Sequence, residues 1–128
     1  MQDRFRFRVY YKPHNKVYNA ICLNCDRQKE IIIEYKSSTA IVEWENCEII
    51  QCTGLKDDNG KLIYEGDIVK TLYTRPDGVV INRNCVVEFN RCAFWINYGI
   101  GASYLDNDDC IYEIIGNIYE NKELLDEK

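Results

Sequence analysis

From Arg4 to Val9 the chain alternates strictly, with Arg4, Arg6 and Arg8 on one side and Phe5, Phe7 and Val9 on the other. A period of two marks a strand with one buried face, so the apolar set is expected to meet a core and the arginines to face outward. Pro13-His14-Asn15-Lys16 supplies turn residues, and Val17 to Ile21 resumes apolar character as the second arm of an N-terminal hairpin. Cys22 to Glu30 is polar and reads as a loop. Ile31 to Tyr35 is rich in β-branched residues and predicts a third strand. Between Ile41 and Thr53 polar and apolar positions alternate but Asn46-Cys47-Glu48 interrupts them, which fits one bulged strand or two short ones.

Asn59-Gly60 tolerates positive φ at both central turn positions, so Leu62-Ile63-Tyr64 is expected to fold back as a hairpin arm before the turn at Glu65-Gly66-Asp67. Ile68 to Tyr73 is the next strand, closed by Arg75-Pro76-Asp77-Gly78. Val79 to Ile81, Cys85 to Phe89 and Cys92 to Tyr98 read as a meander of short strands, whereas Gly99 to Asp109 has no period. Cys110 to Tyr119 is the last strand, with a bulge expected at Gly116. Asn121 stands as an N-cap before Lys122-Glu123-Leu124-Leu125, one helical turn at most. Turn signals recur about every 8 to 12 residues, as in all-β barrels and sandwiches. The expected fold is all-β: a small barrel of hairpins and a meander, SH3-like or related, over residues 53–128, with an N-terminal β-hairpin subdomain over 1–52 and a short C-terminal helical turn. The two stretches are expected to form one unit, since 128 residues suit a single domain.

Charge adds an asymmetry. The net charge is −5, yet residues 1–36 carry eight basic and four acidic side chains and the remainder eight and seventeen, or +4 against −9. Such a split suits a basic arm for a polyanion, or complementary surfaces that meet within or between copies of the chain. No apolar run approaches the roughly 20 residues that span a bilayer, and the first eight residues lack a signal-peptide pattern. With seven irregularly spaced cysteines, reduced thiols in the cytoplasm are expected.

Candidate chemistry is sparse. Cys22-Leu23-Asn24-Cys25 has the C-x-x-C spacing that offers two thiolates to one zinc, but the further ligands would have to be His14, Cys47 or Cys52, so no metal or cofactor is expected. His14 is the single histidine and sits in a turn, which leaves no catalytic pair and predicts a non-enzyme. The acidic loop Asp106-Asn107-Asp108-Asp109 lacks the glycine and distant glutamate of an EF-hand. For a partner or nucleic acid, the candidate contacts are Arg4, Arg6, Arg8, Tyr10, Tyr11 and Lys12, basic and aromatic groups on one hairpin.

Three longer stretches carry a resemblance: Phe5 to Tyr11 with Lys16-Val17-Tyr18; Thr53-Gly54-Leu55-Lys56-Asp57-Asp58-Asn59-Gly60-Lys61-Leu62-Ile63-Tyr64-Glu65-Gly66-Asp67-Ile68-Val69; and Tyr112-Glu113-Ile114-Ile115-Gly116-Asn117-Ile118-Tyr119-Glu120-Asn121 with Leu124-Leu125. In wording and order they resemble the YopX family of phage and prophage proteins. The family's closing motif has proline where this chain has Lys122. The resemblance implies β-barrel architecture, a bacterial host or prophage genome, and no assigned activity. The expected function is a non-enzymatic interaction module that self-associates or binds a phage or host protein; the alternative is a nucleic-acid-binding barrel that uses the arginine hairpin. Glycine and aspartate in the middle motif suit turns and corners, which favours a scaffold role.

Overall fold

The computed structural model describes residues 6–24, 29–97, 102–105 and 110–125. Among the described residues, eleven antiparallel strands fall into two sheets. Strands β1 (Phe7–Tyr11), β2 (Lys16–Asn24), β3 (Glu30–Tyr35), β4 (Ser38–Glu43), β5 (Cys47–Lys56) and β6 (Leu62–Tyr64) pair in the order β4-β3-β2-β1-β5-β6. Strands β7 (Asp67–Thr74), β8 (Val80–Asn90), β9 (Ala93–Asn97), β10 (Ala102–Tyr104) and β11 (Cys110–Asn117) pair in the order β10-β9-β8-β7-β11. The helical elements among the described residues are single 3-10 turns, including Lys122–Leu125 at the C-terminus.

The first sheet is strongly curled, and its connections say why. Four strand spacings separate β4 from β5, about 19 Å if the sheet were flat. Yet only the 3-10 turn Trp44–Asn46 joins them, and that link spans about 14 Å even when fully extended. The sheet must therefore roll up, and its inner face packs Val9, Ile31, Ile33 and Val42 under a rim that includes Tyr18, Leu23, Trp44 and Ile49. The second sheet buries Ile63, Val69, Cys85, Val87, Ile96 and Leu105. Strand β5 serves both sheets. Cys52 packs against Tyr64 between them, whereas Leu55 reaches the second core; the change of face follows a register break between Cys52 and Lys56, where Gly54 adopts a φ of 82°.

The all-β expectation holds, but the described strands form two open sheets and no closed barrel. The sequence pattern correctly gives the turn at Pro13-His14, the strand at Ile31–Tyr35 and the irregularity at Gly116, where the β11–β7 register shifts between Ile114 and Gly116. Several boundaries differ. Part of the stretch read as a loop after Ile21 is strand, since β2 continues to Asn24 before residues 25–28, which lie outside the described set. Ile41 to Thr53 falls in two strands, β4 and β5, the second of the two readings its pattern allows. Val79–Ile81 and Cys85–Phe89 merge into β8, because β7 pairs without a break through the polar Asn82-Arg83-Asn84, and β9 takes the other side from Val86 onward. At Asn59-Gly60 only Gly60 takes positive φ, 81°. Its N–H donates to the Asp57 carbonyl at 3.0 Å and the Asp57 N–H to the Lys61 carbonyl at 2.8 Å, a three-residue hairpin loop with glycine in the left-handed position.

Candidate functional site

The three motif stretches meet between the sheets, where Asp57, Asp67 and Asn121 spend their side chains on backbone N–H groups. Asp57 is buried; one carboxylate oxygen accepts the N–H groups of Asn59 and Lys61, and the other accepts that of Ile114 at 3.0 Å, fastening the β5–β6 hairpin to the bulge of β11. Asp67 accepts the Tyr64 N–H at 2.8 Å. Gly66 donates to the Val87 carbonyl and accepts from Ile118, and a side chain on it would meet the Tyr119 ring at 2.8 Å. Gly116 is closed in by Asn121, whose side-chain oxygen accepts the Asn117 N–H. Asn121 thus braces the strand end from outside, although the sequence marks it as a helix cap. The N-terminal hairpin joins the same cluster: the Tyr10 and Tyr119 rings stack at 4.9 Å, and the Val17 N–H donates to Glu120 at 3.0 Å. Burial pushes the Tyr119 hydroxyl up to about 12.

Beside this junction a groove of about 790 Å³ runs between the outer face of the curled sheet and the β5–β6 hairpin. Its lining carries four cations, Arg6 and Arg8 from the N-terminal strand and Lys56 and Lys61 from the hairpin arms, against one carboxylate, Glu34. Arg8 is fixed in place. Its guanidinium sits 3.9 Å over the Tyr64 ring, 4.0 Å from the Asp67 carboxylate, and its Nε donates to Asn19 at 3.3 Å. Asn19 in turn donates to Glu34. Lys56 and Lys61 are exposed and make no ion pair among the described residues.

Of the residues singled out from sequence, the structure brings Arg6 and Arg8 to this groove and disperses the others. Arg4 and Cys25 lie outside the described residues, as does the acidic loop 106–109. The expectation that the arginines face away from the protein fails for Arg8, which is only 32 % exposed because the Tyr64 ring of β6 and the Asp67 carboxylate at the start of β7 lie against its guanidinium. Tyr10 is committed to Tyr119 and Asn15, Tyr11 packs edge-on against His14, and Lys12 lies exposed in the hairpin turn. His14 bonds the Tyr18 hydroxyl at 2.8 Å within that aromatic turn. Cys22 is exposed on the outer face, whereas Cys47 borders the first core and Cys52 is buried between the sheets. Lys56, Lys61 and Tyr64 were not legible as site residues. Their only sequence signal is a pair of lysines flanking a glycine loop, which the same residues share with many hairpins.

A second surface feature lies on the curled sheet. Cys22, Ile32 and Ile41 pair in one row across β2, β3 and β4 on the outer face, with Ile21 bulged out beside them. Ile41 is 64 % exposed and Ile21 53 %. Strand β4 is a sheet edge, paired on one side only among the described residues.

A family model described as YopX protein matches residues 6–126, nearly the whole chain. The chain belongs to the YopX family. Among solved structures, the Bacillus subtilis protein YopX is similar at 19 % identity, with a TM-score of 0.66 over 94 % of this chain and 98 % of that one. Protein EF1440 of Enterococcus faecalis is similar at 26 % identity, with a TM-score of 0.55 over 94 % and 96 %. No curated protein matches the sequence significantly. The YopX motifs of this chain are its structural joints. Among the described residues no helix is long and apolar enough to cross a membrane.

Proposed function

We propose that this member of the YopX family is a non-enzymatic interaction module that self-associates through strand β4. In this reading it is encoded by a phage or prophage and works in the cytoplasm of the bacterial host. The observation that supports it is the edge strand itself: β4 has no proline, lysine or bulge to discourage pairing, and its outward Ile41 is 64 % exposed at the end of an isoleucine row. A two-fold axis through Ile41 would oppose Ile41 to itself, Ala40 to Val42 and Thr39 to Glu43, which keeps inner and outer faces in register and sets no like charges opposite each other.

Light scattering tests this with the Ile41→Lys variant, which alters an exposed side chain and should fold. The wild type should have a dimer mass at high protein concentration, at low and high salt alike, and the variant a monomer mass. A wild type that stays monomeric, or a variant that dimerises equally well, would refute the reading.

A further inference from the structure

We infer that the basic groove between the curled sheet and the β5–β6 hairpin is a binding site for single-stranded nucleic acid. The chain as a whole is acidic, at −5, so a groove lined by Arg6, Arg8, Lys56 and Lys61 against Glu34 alone is a local reversal of sign. Concentrated positive charge in a concave, low-dielectric setting attracts a polyanion more strongly than the same charges scattered over a surface. Two of the four cations, Lys56 and Lys61, have no carboxylate partner among the described residues, so they can neutralise phosphates without breaking an existing ion pair.

The shape and the state of Arg8 decide for a single strand. A duplex presents its bases at the floor of grooves that only a projecting helix or ribbon can enter, whereas here the cations line a recess. Unpaired bases stack on aromatic rings and on guanidinium planes. Arg8 supplies such a plane, backed by the Tyr64 ring at 3.9 Å and held by Asn19 and Asp67, so its geometry is set before a ligand arrives. The hairpin loop at Gly60 borders the groove, and nothing lies within 4 Å of where a side chain would project from it. Lys56 and Lys61, on opposite arms of that hairpin, are placed to hold phosphates on either side of the stacked base.

The test is fluorescence polarisation with a labelled single-stranded oligonucleotide on the full chain. Phosphate contacts by Lys56 and Lys61 predict that affinity falls by roughly seven-fold between about 50 mM and about 200 mM salt. Lys56→Glu with Lys61→Glu, both exposed, should abolish binding while leaving the melting temperature and oligomer mass unchanged; Lys12→Glu, on the distant hairpin turn, should bind like the wild type. The inference is overturned if the wild type fails to bind at low salt, if the double variant binds as well as the wild type, if a duplex of the same sequence binds more tightly, or if polyglutamate binds more tightly than the oligonucleotide. Because Ile41→Lys leaves the groove intact, that variant should still bind the oligonucleotide even as a monomer, which separates this site from the β4 contact.

Discussion

Replacing Asp67 with asparagine should make the protein more stable at neutral pH. Asp67 is 3 % exposed, accepts one backbone hydrogen bond from Tyr64 and has the Arg8 guanidinium only at 4.0 Å. Burial pushes its pKa from 3.8 up to about 6, against the pull of the Tyr64 N–H and Arg8 and with a further push from Asp57. The folded protein therefore holds this proton more tightly than the unfolded chain does. Stability from the neutral acid is complete below pH 3.8 and is lost as pH rises through about 6. Integrated between about pH 4.5 and about pH 7.5, the loss is about 2 kcal/mol. Asparagine is isosteric with the neutral acid, and its carbonyl can accept the same Tyr64 hydrogen bond. Urea denaturation of both proteins across that range isolates the Asp67 contribution, because every other titrating group is common to the two. The expected result is near-equal stability at the acid end and a variant more stable by about 2 kcal/mol at the neutral end. Parallel pH profiles for the two proteins, or a variant less stable at neutral pH, would refute the reasoning.

The joints between the sheets yield three further expectations. Gly66→Ala places a methyl group 2.8 Å from the Tyr119 ring at a φ of 85°, and Tyr119 cannot retreat past the stacked Tyr10; thermal denaturation should show a loss of about 3 kcal/mol, and a loss below about 1 kcal/mol would contradict it. Asp57→Ala strips a carboxylate acceptor from the N–H groups of Asn59, Lys61 and Ile114, so it should cost more than about 3 kcal/mol in the same assay, whereas Asp58→Ala next to it should cost little. Protein purified without chelator should carry no stoichiometric zinc by elemental analysis, since the C-x-x-C at Cys22 and Cys25 has no matching second pair in the sequence.

How much of this was legible follows from what each signal depends on. Strict alternation at Phe7 and Val9, β-branched runs such as Ile31–Ile33, and glycine turns are local signals. They placed strands correctly because a half-buried sheet imposes the same period of two on any sequence. Which strands neighbour one another is not local. Arg8 looks solvent-facing in the alternating pattern, and only the Tyr64 ring of β6 and the Asp67 carboxylate at the start of β7, lying against its guanidinium, cover it. The groove was half visible for the same reason: Arg6 and Arg8 stood out as a basic stripe, but Lys56 and Lys61 are some fifty residues away along the chain and join them only because β5 pairs with β1 and carries the β5–β6 hairpin beside it. Tyr10 and Tyr11 shared the composition of a stacking surface and proved to be packing residues, since an aromatic beside an arginine reads alike in both roles. The motif stretches, by contrast, pointed to their role directly. Gly66, Asp67, Gly116 and Asn121 are residue types that corners and close approaches demand, and in the fold they close the junction.

Amide hydrogen exchange at two protein concentrations reads self-association through β4 at the strand itself. Pairing about Ile41 protects the amides of β4 that point away from β3. Exchange in the segment Ser38–Glu43 should slow as concentration rises, with no such change in the opposite edge strand β6, and Ile41→Lys should abolish the effect. Exchange in β4 that is independent of concentration, or protection that appears instead in β10 or β11, would contradict it.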